Sequence, residues 1–465
     1  MVFSSLIFLF LFLPVTLTLY YVTPWRAARN LLLVSASLLF YAWGEPVWVV
    51  LLLLSATVDY WNGRFIEHWR GTSIAWLGVA STLIFNLGVL AVFKYSGFVV
   101  ENLNALAGTA IPPPSFALPL GISFYVFMSI SYTIDVWRGE VRAERSYRDF
   151  LVYIANFHHL VAGPIIRFGH IAREIHERVF RIDDLSSGVS RFCKGLFKKV
   201  CIANVAGELA LPFLGAEAGS GTMAGAWLGT LLFSLQIYFD FSGYSDMAIG
   251  LGRMFGFHYH ENFAHPYAAR SITDFWRRWH ISLSSFFRDY VYIPLGGNRH
   301  AQVRNILIVW ALTGLWHGAS WNFLIWGCYY GVLLLIEKFL LAGLLSRLPA
   351  LFQHGYALFF VVVGWTIFYF TDFGALGRHL SLMFGLSGVS TDFDVLSVLQ
   401  ANAIWLATAL ILCWPVYRAV HERLVARLPA AAVVLFDLTL NLLFLGCSIA
   451  LLVGSSYNPF IYFRF

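Results

Sequence analysis

Long apolar runs separated by short polar connections set the pattern of this chain, and most runs approach the roughly 20 residues that cross a bilayer as helix. Residues 1–23 form the first run. They lack a basic leader and a small-residue cleavage site, so a retained membrane helix is expected rather than a signal peptide. Arg26 and Arg29 follow and place that end in the cytoplasm, leaving the N-terminus outside. Runs over 30–43 and 46–60 are parted by the turn signal Gly44-Glu45-Pro46, and a fourth covers 73–93. The stretch 94–117 is mixed and holds Pro112-Pro113-Pro114, which predicts an outer loop or a short re-entrant piece. Residues 118–137 span again, with Arg138, Arg142, Arg145 and Arg148 beyond them. Residues 149–166 are apolar but contain Asn156, His158, His159 and Gly163-Pro164. A simple crossing there would export Arg167, Arg173, Arg178 and Arg181, so a segment that enters and returns on one side is predicted, tolerated where protein buries it.

Arg191, Lys194, Lys198 and Lys199 mark the next cytoplasmic face. Runs follow near 200–214 and 224–250, then over 305–318, 320–340, 355–371, 398–416 and 432–454, with a short one at 374–388. The expectation is an all-α polytopic membrane protein of about eleven crossings plus re-entrant and interfacial pieces. It forms a single membrane-embedded domain, 1–465, with its chemistry concentrated in about 118–340. One segment departs from the pattern. Over 271–291, Phe275, Trp279, Leu283, Phe286 and Tyr290 recur at three- and four-residue spacing, with Asp274, Arg277, Arg278, Arg288 and Asp289 on the other faces. That predicts one amphipathic helix lying flat at the cytoplasmic surface, with the His280 imidazole turned inward.

Composition strengthens the membrane reading. The chain is 59% hydrophobic and 12% charged, where soluble domains carry about 25% charged residues. The lipid bilayer is therefore its first partner. A net charge of +6 is spread over short connections with no basic block standing apart, which argues against nucleic-acid binding. Cys193, Cys201, Cys328, Cys413 and Cys447 are scattered, with no Cys-x-x-Cys or Cys/His spacing, so neither a disulfide framework nor a metal site is expected.

Two histidines are candidates for chemistry. His317 closes the apolar run Ile306–Trp316, and a helix entered at Arg304 would carry it roughly 20 Å into the bilayer. An ionisable group at that depth marks a functional site by default, and a neutral imidazole suits general-base work near neutral pH. Trp316 and Trp321 offer flat walls, Gly314 and Gly318 close backbone approach, and Asn322 a hydrogen-bond donor. His280 is the second candidate, with Trp276 beside it and Arg277 and Arg278 able to meet phosphates or anionic lipid. Asp240, Tyr244 and Asp246 add polar groups to an apolar run. The two carboxylates should pair with Arg or Lys or line a wet cavity, and Ser242-Gly243 is a candidate helix break. These residues suit transfer from a cytosolic activated donor to an acceptor on the far side. They equally suit a proton-coupled exporter or flippase for polysaccharide or lipid precursors, or a scaffold for a polysaccharide synthase.

The segments SLQIYFDFSGYSDMAIGLGRMFGF, ENFAHPYAARSITDFWRRWHISLSSFFRDYVYIPLGGNR and LTGLWHGASWNFLIWG resemble the signature of the membrane-bound O-acyltransferase superfamily, and within it the bacterial alginate O-acetyltransferase branch. The start MVFSSLIFLFLFLPV, the LPLGISFYVFMSISYTIDVWRG segment, LVAGPIIRF and the closing NPFIYFRF share the likeness, so it covers nearly the whole chain. The resemblance implies a helical fold around a central tunnel in the bacterial inner membrane. His317 matches the superfamily's signature histidine, and His280 a second position held by Asn or His. Acetyl-CoA is implied as donor substrate with no bound cofactor, and a periplasmic acetyltransferase or polysaccharide as acceptor. On that model His317 deprotonates the accepting hydroxyl or transiently carries the acyl group, and His280 orients or polarises. Phe157-His158-His159 stands where the branch has Phe-Pro, and Ala319-Ser320-Trp321-Asn322 is common to broader members. The polymer therefore stays open among alginate, cellulose, peptidoglycan and other exopolysaccharides.

Overall fold

The computed structural model describes residues 1–114, 116–214, 221–386, 390, 393–455, 457–459 and 461. Among them the regular structure is helical, without a β-strand. The chain groups into two compact units, one of Met1–Phe192 with Tyr244–Glu261, the other of Cys193–Gly243 with Asn262–Phe465.

Among the described residues, four helices are long and apolar enough to cross a bilayer: Ala75–Ala107, Trp321–Leu345, Ala350–Tyr369 and Ala430–Gly454. A fifth results if Phe393–Ala401 and Ala403–Leu412, bent by 69° at the break between them, form one crossing. The other apolar runs also fold as helices, but with shorter or more charged barrels. Ile122–Arg138 has 17 residues and Gln302–His317 has 16, so at about 1.5 Å per residue each falls short of a ~30 Å hydrocarbon core. Val49–His68 carries Asp59, Arg64 and Glu67.

Three expectations are corrected. The stretch 94–117 is a loop only in its second half: the helix Ala75–Ala107 runs through the first half and ends where Gly108 turns left-handed at φ 66°, and the described residues beyond, with Pro112-Pro113-Pro114, are irregular. Ser242-Gly243 does not break its helix, which continues from Met223 to Met254. The amphipathic segment 271–291 is not one helix but two, Ile272–Arg278 and Ile281–Phe287, the second extended by Arg288–Tyr292. The 149–166 segment folds as a helix, Tyr147–Ala155, N-capped by the Ser146 hydroxyl, followed by a buried irregular stretch.

In the first unit Tyr244 stacks on Phe3 with ring centroids 4.5 Å apart, and Asp246 accepts from Arg191 at 2.8 Å. Asp240 belongs to the second unit. There it forms a buried ion pair with Lys199 at 2.7 Å and accepts the Ile461 backbone N–H at 2.8 Å. Lys199 also donates to Asn204 Oδ1 and to the Pro459 carbonyl, so the pair ties the last described residues to the helix that bears Asp240. Both carboxylates therefore take the ion-pair role expected of charges in apolar surroundings.

The second unit also positions His317. Gln302–His317 and Trp321–Ile336 form an antiparallel pair joined by a three-residue turn. Two glycines let their backbones touch: a Cβ on Gly327 would lie 2.2 Å from the Trp310 carbonyl oxygen, and one on Gly314 2.3 Å from that of Phe323. Small residues at such crossings permit the close packing that drives helix association in lipid.

Candidate active site

His280 sits where the amphipathic segment breaks. The helix before it starts firmly: Ser271 Oγ accepts the Asp274 N–H at 3.0 Å, and the Glu337 carboxylate accepts the Ile272 and Thr273 N–H groups at 2.7 and 2.9 Å. A carboxylate and a hydroxyl there satisfy donors that a helix start leaves over, and the negative charge complements the helix dipole. The helix ends at Arg278. Trp279 is extended (φ −98°, ψ 128°), His280 turns left-handed (φ 44°, ψ 55°), and the second helix begins at Ile281. A left-handed conformation is uncommon for a residue bearing a Cβ, and strain of this kind gathers at functional sites. It drives the imidazole inward, leaving His280 1% exposed. Phe241 lies edge-on at 4.7 Å and Trp316 at 5.6 Å between ring centroids. Burial pushes the imidazole down to about 3, so it is neutral at physiological pH.

His317 is the last residue of its helix and 4% exposed. Trp316 and Trp326 flank its ring at 4.9 Å each and Phe368 at 5.3 Å. Gly318 next to it admits the Phe323 ring, which would approach a Cβ to 2.2 Å. His280 and His317 line one cavity of about 330 Å³, together with Trp276, Trp310 and Thr313. Arg277, Ser284 and Arg288 line the same cavity and are exposed, so its inner wall is apolar and its rim basic. A hydrophobic cavity with a few convergent polar groups is the usual form of a small-molecule site.

The structure brings together a subset of the residues expected from the sequence. His280, His317, Trp276 and Arg277 line the cavity, and Trp316 bridges the two histidines from behind. Arg278 turns away: its Nε donates to Asp274 at 2.8 Å, an i,i+4 pair on the same short helix. Trp321 begins its helix 47% exposed and is not part of the lining. Asn322 is buried and donates to the Phe368 carbonyl at 3.1 Å, which holds that wall of the His317 pocket. Asp240, Tyr244 and Asp246 have the structural partners described above. Thr313 and Trp310 were missed in the sequence although they lie four and seven residues before His317, the spacing of one helix face. Asn262, whose Oδ1 lies 3.2 Å from His280 Nδ1, was also missed; its one signal is its place in the ENFAHPYAAR stretch that carries the family resemblance.

Membrane-length helices and two buried histidines sharing an apolar cavity define a multi-pass membrane enzyme. The model of the membrane-bound O-acyltransferase family matches residues 126–376, and the chain belongs to that family. It is 43% identical over 419 residues to a "Probable alginate O-acetylase" of Azotobacter vinelandii, covering 88% of this chain and 83% of the relative. It is 40% identical to a protein of the same name from Pseudomonas putida over the full length of both. A peptidoglycan O-acetyltransferase of Helicobacter pylori is 32% identical, covering 84% of this chain and 81% of the relative. The enzyme is an O-acyltransferase.

Proposed function

We propose that this enzyme takes acetyl from cytosolic acetyl-CoA and passes it across the bacterial inner membrane for O-acetylation of an extracytoplasmic polysaccharide, directly or through a periplasmic acetyltransferase. Alginate is the favoured polymer, given the names of the relatives with 40% identity or more, and peptidoglycan the next. The supporting observation is the cavity with buried histidines within and arginines at its rim. An acetyl thioester fits the apolar interior, and the phosphates of CoA suit Arg277, while Arg288 beside it is held by Asp289 at 2.6 Å. The cavity is then the donor side of a passage through the protein, and the short and bent helices complete about eleven crossings by pairing end to end and by local thinning of the bilayer. His317 removes the proton of the accepting hydroxyl. The alkoxide oxygen attacks the thioester carbonyl, the C–S bond breaks, and the CoA thiolate leaves and regains a proton.

A truncated donor tests the donor assignment. Release of thiol from acetyl-CoA should far exceed release from S-acetyl-N-acetylcysteamine, which lacks the phosphates. Arg277→Ala should raise KM for acetyl-CoA by about 10-fold or more, the worth of a charge-assisted hydrogen bond, and leave the truncated donor unchanged. Equal use of both donors by the wild type would contradict the assignment of the rim.

A further inference from the structure

The break at His280 is held by one residue 18 positions earlier in the chain. Asn262 is buried, and both of its oxygens are used. Its backbone carbonyl accepts the Ile281 N–H at 3.0 Å. Its side-chain oxygen accepts the Ser282 N–H at 3.2 Å and the Ser282 hydroxyl at 2.9 Å, and lies 3.2 Å from His280 Nδ1. The first residues of the second helix, whose N–H groups have no partner within the helix, are thus tied to Asn262 on either side of its Cα.

This arrangement decides a tautomer. A backbone N–H can only donate, so the Asn262 atom facing Ser282 N is the carbonyl oxygen and not the amide nitrogen. The Ser282 hydroxyl is 3.5 Å from His280 Nδ1 but donates to Asn262 Oδ1 at 2.9 Å, so the imidazole nitrogen opposite that oxygen carries a proton. In neutral His280 the lone pair then resides on Nε2, the other polar atom of a residue that lines the cavity. We propose that Asn262 is a positioning residue for acyl transfer, holding the left-handed turn at His280 and fixing its imidazole as Nδ1–H, with Nε2 as a hydrogen-bond and proton acceptor. The proposal rests on the acyl-transfer reading above and sharpens it. A neutral His280 held this way receives a hydrogen bond from a hydroxyl in the cavity. It does not polarise the thioester carbonyl, a task that needs a donor.

The titratable and charged groups lining the cavity with His280 are Arg277, Arg288, Tyr292 and His317. Asp274, on the preceding helix, is paired with Arg278. Phe241 and Phe263, which pack on the ring from the other sides, carry no charge. A charge introduced at position 262 therefore acts on His280 without a competing carboxylate in the cavity lining.

Two measurements test the proposal. In protein labelled with ¹⁵N-histidine, the resonance assigned to His280 by its loss in His280→Asn should show a protonated Nδ1 and an unprotonated Nε2 in wild type, and a mixture in Asn262→Leu. A protonated Nε2 in wild type, or no change in Asn262→Leu, overturns it. In a pH titration of the same His280 resonance, Asn262→Asp keeps the accepting oxygens and adds a charge, so protonation of the ring should set in about 1–3 pH units higher. Asn262→Leu should lower kcat by about 10–100-fold, the cost typical of losing a partner that orients a reactive histidine, with KM for acetyl-CoA little changed. An unmoved His280 titration in a folded Asn262→Asp protein also overturns the proposal. If Asn262→Leu does not fold, the wild-type tautomer and the Asn262→Asp titration still decide. The nuclear resonance needs no turnover, so a wild type that transfers no acetyl sinks the acetyl-transfer reading while the tautomer is still measured.

Discussion

At the scale of the residue, the two histidines differ in how they are made available. His317 sits at a helix end between aromatic rings, while His280 is forced inward by a backbone turn that a side-chain-bearing residue adopts at a cost. The His280 environment has a consequence for stability. The unfolded chain binds a proton at this imidazole below about 6.5, whereas the folded protein refuses it until about 3. A folded value below the unfolded one means that stability is full above the unfolded value and falls as pH drops from about 6.5 towards 3. His280→Asn removes the titration with a side chain that tolerates a left-handed backbone. The melting temperature of wild type should therefore fall more steeply between pH 7 and 4 than that of His280→Asn, and parallel curves would contradict the buried neutral imidazole. Both histidines were legible in the sequence, His317 from its position in an apolar run and both from the family motifs. Asn262 was not, although it lies in a segment that carries the family resemblance, because its role depends on the fold bringing a loop residue against a helix start 19 positions later.

At the scale of the element, periodicity located helices well and their ends poorly. The stripe Phe275, Trp279, Leu283, Phe286, Tyr290 keeps helical spacing across the break, and Phe275, Trp279, Leu283, Phe286 and Tyr290 are all buried. Hydrophobic spacing reports which side chains face inward, not whether the backbone between them stays helical. The reverse error occurred at Ser242-Gly243. There the glycine does not end the helix but gives room: a Cβ would meet the Gly195 carbonyl oxygen at 2.7 Å. The same logic sets a prediction for the pair of helices that presents His317. Gly327→Val forces a side chain into the Trp310 carbonyl and should destabilise the protein by about 1–3 kcal/mol or more, read as a lower melting temperature in detergent. Gly355→Ala, where a Cβ meets nothing within 4 Å, should leave it unchanged. Similar melting of both variants would show that the two backbones are not in contact.

At the scale of the whole molecule, an apolar chain with few charges and helices of membrane length already specified a multi-pass membrane protein, and the family match makes it an O-acyltransferase. The count of crossings was less legible. Several apolar runs fold as helices of 16 or 17 residues or carry charges that pair within the protein, so run length does not translate directly into a straight span. Of the polar groups picked out as candidates, the structure divides those that line one cavity from those that form ion pairs elsewhere, a division that sequence spacing cannot make. The proposed transfer depends on His317, in the cavity it shares with His280. The most direct test is thiol release from acetyl-CoA by purified wild type and His317→Ala, with polysaccharide or periplasmic acceptor present and folding of both checked by melting temperature. Turnover is expected in wild type, with a loss of at least about 100-fold in the folded variant, the scale of a general base removed. Equal turnover in the two proteins would contradict it.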